Sequence, residues 1–92
     1  MIHLHREVEA NPGDEIQVIL DHPANVQLLN EDNYHRYIEN KEYRYHGGYA
    51  TKSPMILVPP APGKWHLVVD LGGGPGQVRA SVRIVPQEMA GF

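Results

Sequence analysis

The chain of 92 residues contains no cysteine, one phenylalanine and one tryptophan. Without thiols there is no disulfide framework, no thiolate nucleophile and no cysteine metal knuckle, so the fold must rest on packing alone, as suits a reducing compartment. Nor is there an apolar run of about 18 residues, which excludes a membrane-crossing helix. Met1-Ile2-His3-Leu4-His5-Arg6-Glu7 lacks the roughly 7 to 15 apolar residues of a secretory leader. A soluble, cytoplasmic protein with no membrane partner is therefore expected. Basic charge is also scarce: the net charge of −3 and pI near 6.0 argue against nucleic acid as a partner, whose binders carry a strongly basic face. A chain this short makes one domain, which buries roughly 60 to 65 per cent of its unfolded surface.

Familiar catalytic signatures are missing as well. The glycine run in "LGGGPGQVRASVRIV", residues 71–85, is not a dinucleotide loop, which needs G-x-G-x-x-G at the start of a helix. From Gly72 and Gly74 the third position falls on Gln77, and from Gly74 and Gly76 on Arg79. Beyond the glycines the chain alternates with period two, Val78, Ala80, Val82 and Ile84 against Gln77, Arg79, Ser81 and Arg83, so it is a strand. Trp65, Leu67, Val69 and Leu71 alternate with His66, Val68 and Asp70 before the run. Two such strands around Gly72–Gly76 predict a hairpin with a five-residue loop, with Trp65 in the core. G-x-x-x-x-G-K-[ST], H-E-x-x-H and G-x-S-x-G are all absent. Ser53, before a proline, and Ser81, on an outward parity, are therefore not read as nucleophiles.

The chain does contain a series of short alternating strands. Ile2, Leu4 and Val8 share one parity and His3, His5 and Glu7 the other, with an interruption expected at Arg6. "NPGDE" turns the chain into Ile16, Val18 and Leu20, and His22-Pro23 ends that strand before Val26 and Leu28. Asn30 then serves as N-cap to one short helix, with acidic residues in its first turn and Tyr34, Tyr37 and Ile38 at i, i+3 and i+4. Tyr43-Arg44-Tyr45-His46 reads as a strand turned by Gly47-Gly48, and "SPMILVP" as another beginning after Pro54. About seven strands, with eight prolines and nine glycines mostly between them, predict an all-β, two-sheet antiparallel sandwich of jelly-roll-like connection, with a small open barrel as the alternative. Residues 1–86 are read as the domain and 87–92 as a C-terminal tail.

The blocks "PANVQLLNEDNYHRY", "YRYHGGYATKSPMILVP" and "GKWHLVVDLGGGPGQVRASVRI" resemble the bacterial domain of unknown function family DUF1883, over roughly residues 1–86. The resemblance implies a small all-β domain, found alone or joined to TIR domains, the latter being modules of signalling and nucleotide-cofactor cleavage in bacterial defence. It implies no catalytic residues and no cofactor.

Two groups of residues carry the candidate chemistry. The first is "YIENKEYRYHGGYATK", where tyrosines interleave with cations. A tyrosine ring offers a flat face with a hydroxyl handle, and arginine binds phosphate or carboxylate through two parallel hydrogen bonds. Tyr37, Arg44, His46, Tyr49 and Lys52 are the expected ligand-binding residues. The second is histidine: His3 and His5 share a strand face, and with His66 they would form a metal site if their strands were neighbours. Without such a site these histidines would simply meet solvent, and Asp70, Arg79 and Arg83 would be charge partners on a solvated face. The acidic pairs Asp14-Glu15 and Glu31-Asp32 are explained by a turn and a helix N-terminus. The expected function is a non-catalytic binding or sensing module for a small ligand or a protein partner, linked to TIR-type signalling through the resemblance. A metal-dependent enzyme or metal-binding protein using His3, His5 and His66 is one alternative, and a self-assembling structural unit, such as a homodimer, is another.

Overall fold

The computed structural model describes residues 3–72 and 76–87. Among these the order of elements is β1 (His3–Ala10), β2 (Glu15–Leu20), β3 (Ala24–Leu29), α1 (Glu31–Ile38), β4 (His46–Ala50), β5 (Met55–Leu57), β6 (Gly63–Asp70) and β7 (Ala80–Val85). They form two antiparallel sheets, one of four strands in the order β1-β6-β3-β4 and one of three in the order β5-β2-β7. No described helix is long and apolar enough to cross a membrane.

The inward parity of each strand builds the core between the sheets. Ile16 and Val18 of β2 meet Val26 and Leu28 of β3 and Trp65, Leu67 and Val69 of β6, all of them buried. Apolar burial of this kind stabilises by about 25 cal/mol per Å². Trp65 also satisfies its indole N–H, which donates to the Ala61 carbonyl at 3.0 Å, as a buried polar atom must.

The glycine-rich connection is not a hairpin. β6 pairs with β1 and β3, whereas β7 pairs with β2 in the other sheet, so residues 71–79 carry the chain from one sheet to the other. Alternation records which face of a strand is buried, and it is silent about which strand lies alongside. Ile2, Gly73, Gly74, Pro75 and residues 88–92 of the expected tail lie outside the described residues. Gln87, the first residue of that tail, donates its backbone N–H to Asp14 at 3.0 Å.

Three local expectations are also corrected. β1 runs through Arg6 without interruption. Residues 41–45 form no strand, and Gly47-Gly48 lie inside β4 instead of turning the chain. Gly47 sits opposite Gln27 with φ of 129°, a left-handed conformation open to glycine. Any Cβ there would strike the Val26 carbonyl oxygen.

The outer face of the larger sheet is the departure that positions the site. Helix α1 joins β3 to β4 and lies over that face, where Leu29, Tyr37 and Val68 form a second buried cluster flanked by Tyr34 and Tyr43. The molecule therefore has three layers: the small sheet, the large sheet and the helix.

Candidate functional site

Helix α1 begins as the sequence predicts. The Asn30 side chain accepts the Asn33 backbone N–H at 2.9 Å, filling one of the unpaired donors of the first turn. With its start set, Glu31, Tyr34 and His35 fall on the side that meets β1 and β6, and Asp32, Asn33 and Arg36 on the side that meets residues 41–45.

The first side builds a polar chain around one buried histidine. His66 of β6 is 2 % exposed, and both ring nitrogens are partnered: Nδ1 lies 2.8 Å from His5 Nε2 and Nε2 lies 2.9 Å from Glu31 Oε1. The other Glu31 oxygen lies 2.7 Å from His35 Nε2. The His66 bond holds the Glu31 carboxyl below the usual range, so Glu31 is a carboxylate, which accepts and cannot donate. Glu31 Oε1 therefore accepts a hydrogen from His66 Nε2, and the contact between His66 Nδ1 and His5 Nε2 holds one shared hydrogen. Partial burial, and then the neighbouring His66, push the His5 pKa down.

Tyr34 lies flat over the pair. Its ring is 4.2 Å from His5 at 13° and 4.4 Å from His66 at 4°, so its face spans the hydrogen bond between them. Beside this chain Asp70, 3 % exposed, accepts from the Tyr37 hydroxyl at 2.8 Å, the Asn25 amide at 3.0 Å and the Gly72 backbone N–H at 2.8 Å. Burial first and the Asp70 bond second raise the Tyr37 pKa, which keeps it a donor.

Asp70 and His66 do not meet solvent on a polar face, because the helix covers that face. Arg79 and Arg83 do not share it with Asp70: the Arg79 backbone N–H donates to Asp21 at 2.7 Å, and Arg83 sits opposite Gln17 in the other sheet.

The second side of α1 forms one wall of an open cleft of about 720 Å³. Asp32, Asn33 and Arg36 line it from the helix, and Lys41 to Tyr45 from the chain beyond. Asn33 staples the two walls: its Oδ1 accepts the Arg44 backbone N–H at 2.8 Å while its amide donates to Asn30 at 2.9 Å. Three cations, Arg36, Lys41 and Arg44, stand against two carboxylates, Asp32 and Glu42, on a chain whose net charge is −3. Tyr43 and Tyr45 add ring faces, 5.8 Å apart.

The five expected ligand-binding residues are dispersed over the molecule. Arg44 lies in the cleft. Tyr37 is buried beneath the helix, and His46 packs its ring 5.9 Å from Trp65. Tyr49 is 66 % exposed at the sheet position opposite Asn25. Lys52 lines a separate hollow of about 110 Å³ with Asp21 and His22. Of the three histidines, His5 and His66 share a hydrogen bond, and the His3 ring lies 6.4 Å from that of His5. Among the described residues no group of three His, Cys, Asp or Glu side chains is arranged to hold a metal ion. Ser53 is engaged with the Leu20 backbone, accepting its N–H at 2.8 Å and donating to its carbonyl at 3.2 Å.

Sequence reasoning missed Glu31 and Tyr34 as partners of the histidines, and Asp32, Asn33 and Arg36 as a cleft wall. The available signal was the polar side of α1, where Asp32 and Arg36 pair at i, i+4 with 3.2 Å between them.

Neither a curated protein nor a solved structure matches the chain. A family model does, over residues 1–88, and the chain belongs to that family, described as a domain of unknown function, DUF1883.

Proposed function

We propose that this domain is a non-catalytic binding module that senses a small anionic ligand, one carrying phosphate or carboxylate beside a planar ring, in the cleft between α1 and residues 41–45. The observation that carries the reading is the gathering of Arg36, Lys41 and Arg44 around Tyr43 and Tyr45 on an otherwise acidic chain. Guanidinium groups take an oxyanion through paired hydrogen bonds, and tyrosine faces take the ring. The histidine chain supports the same reading from beneath, since it ties the helical wall to the sheet. The TIR association implied by the resemblance makes such a ligand an input to signalling, whether the TIR domain lies in the same chain or in a partner.

Titration calorimetry with inorganic phosphate, simple carboxylates and nucleotides, including nicotinamide cofactors, tests the proposal. Saturable binding of one ligand per chain that weakens with salt, and is lost in Arg44→Ala, is expected. No binding of any such compound contradicts it.

A second reading, docking of a protein or a second copy, draws on a different surface. Ile19 and Ile56 are each 49 % exposed and Val58 is 51 % exposed, and Ile19 and Ile56 share the outward parity of the small sheet with Gln17. Sedimentation equilibrium of wild type against Ile56→Lys distinguishes this reading: a dimer that the substitution dissolves favours self-assembly.

A further inference from the structure

We infer that the contact between His5 and His66 is a proton-sensitive clasp, closed near neutral pH and parted in acid, and that its parting unseats Tyr34 and loosens the helical wall of the cleft. Control of the cleft rests on the binding reading given above, whereas the clasp stands without it. Two ring nitrogens 2.8 Å apart have room for one hydrogen between them, whichever ring supplies it. The other His66 nitrogen gives its hydrogen to Glu31 at 2.9 Å, and the only ring nitrogen left over is the second one of His5. With the contact intact the two rings therefore take up one proton in acid. A second would set N–H against N–H, so it enters only if the rings part. Tyr34 is stacked on both rings, 4.2 Å from His5 and 4.4 Å from His66, and loses half of its seat when they do.

In the unfolded chain both imidazoles charge independently near the ordinary value of about 6.5. Below it the unfolded state binds one proton more than the clasped state. The clasp's contribution is therefore complete above about pH 6.5, and a one-proton deficit lowers the folding equilibrium constant about tenfold for each further pH unit. The downward push on His5 from burial and from His66 acts in the same direction. Other charged groups face the pair from every side. On β1 they are His3 and Glu7, the latter 3.6 Å from Lys64 of β6. On α1 they are Glu31 and His35, 2.7 Å apart, beside the hydroxyls of Tyr34 and Tyr37. On β6 the Asp70 carboxylate is held by three donors, and β3 brings only the uncharged Asn25, Gln27 and Leu29 to this face. These charges set where the first proton enters; the limit of one hydrogen between the rings is steric. The helix transmits the change, because Glu31 and Tyr34 lie one residue from Asp32 and Asn33, which line the cleft with Arg36.

The test is urea unfolding of the full chain from pH 8 to pH 5 in wild type, His5→Gln and His3→Gln. A glutamine amide at position 5 can donate or accept, so His66 is free to take its second hydrogen and the deficit disappears. Between pH 6.5 and pH 5 the wild-type folding constant should fall by about tenfold per pH unit relative to His5→Gln. His3→Gln should follow wild type, since His3 lies outside the contact. Wild type and His5→Gln running parallel, or His3→Gln flattening as much as His5→Gln, would overturn the clasp. Sulfate, whose charge is constant over this range, probes the cleft by calorimetry. Its affinity should fall by about fivefold or more from pH 7.5 to pH 5.5 in wild type and hold steady in His5→Gln. Equal affinity at both pH values in wild type would overturn control of the cleft. Absence of sulfate binding at pH 7.5 would count against the binding reading, and the unfolding curves alone then decide the clasp.

Discussion

His66 and His5 stand edge to edge, 2.8 Å between Nδ1 and Nε2, with ring planes 17° apart. That bond joins the edge strand β1 to β6 through side chains as well as backbone, and through Glu31 it reaches helix α1. A buried polar group costs most when its partner is removed and it is left unpaired.

Replacing His66 with alanine should therefore destabilise the fold by about 2 to 4 kcal/mol, combining the lost bonds with the cavity left under Tyr34. For a domain of this size each kcal/mol lowers the melting temperature by about 4 to 8 °C. Thermal unfolding beside His22→Ala, an exposed control expected within about 0.5 kcal/mol of wild type, checks this. A His66 variant as stable as the control would show that the chain contributes little.

Gly47→Ala should be destabilising even though the added group is a single methyl. The alanine Cβ would meet the Val26 carbonyl oxygen in a backbone conformation that L-residues avoid, a strain of about 1 to 3 kcal/mol. Chemical denaturation of the variant measures it, and a change below about 0.5 kcal/mol would contradict the strain.

Asn33→Ala separates architecture from binding. It removes the bond that holds Arg44 to the helix and one of the two contacts on Asn30, while the Asn30 cap on the backbone of residue 33 remains. Stability should fall by only about 1 kcal/mol. Ligand affinity should fall at least tenfold, because the cleft walls lose their staple. Calorimetry and thermal unfolding on the same sample read both quantities.

Acid should weaken the fold through two aspartates. Asp14 is held below the usual carboxylate range by backbone N–H donors, Asn11 first and Gln87 second, and Asp21 by the Arg79 backbone N–H. In both, the folded state favours the ionised form. Their stabilisation is therefore complete above the ordinary aspartate value near 4 and disappears as pH falls through the lower folded values. Denaturation midpoints between pH 7 and pH 2.5 should drop in that window, and less so in Asp14→Asn. An equal acid-induced drop in that variant would assign the loss to other groups.

How much of the fold is legible in the sequence depends on what alternation encodes. Ile16 with Val18, Val26 with Leu28, and Trp65 with Leu67 and Val69 announce buried faces, and Asn30 announces the helix. Strand neighbours are a matter of long-range pairing, which is why the segments around the glycine run look like a hairpin yet belong to different sheets. The histidine chain is hidden for a related reason. His66 and Asp70 occupy the parity opposite Trp65, where polar residues ordinarily meet water, and only the helix above converts that face into an interior. One clue stands in plain view: Val68 lies between His66 and Asp70 on the same parity, and Tyr34, Tyr37 and Ile38 form a helical stripe that needs an apolar surface to cover. The cleft is half legible, since residues 41–45 come from the tyrosine-rich segment, but the wall facing them comes from the polar side of the helix.

The central claim is that the cationic cleft binds an anionic, ring-bearing ligand, and the most direct measurement is the melting temperature of wild type and of the Arg36→Ala/Arg44→Ala double variant across a nucleotide and carboxylate panel. A true ligand at about 100 times its dissociation constant adds roughly 2.7 kcal/mol, a shift of about 10 to 20 °C for a domain of this size. The account predicts such a shift in wild type with at least one phosphate- or carboxylate-bearing compound, and its loss in the double variant. No shift with any of them, or a shift the double variant retains in full, would contradict it.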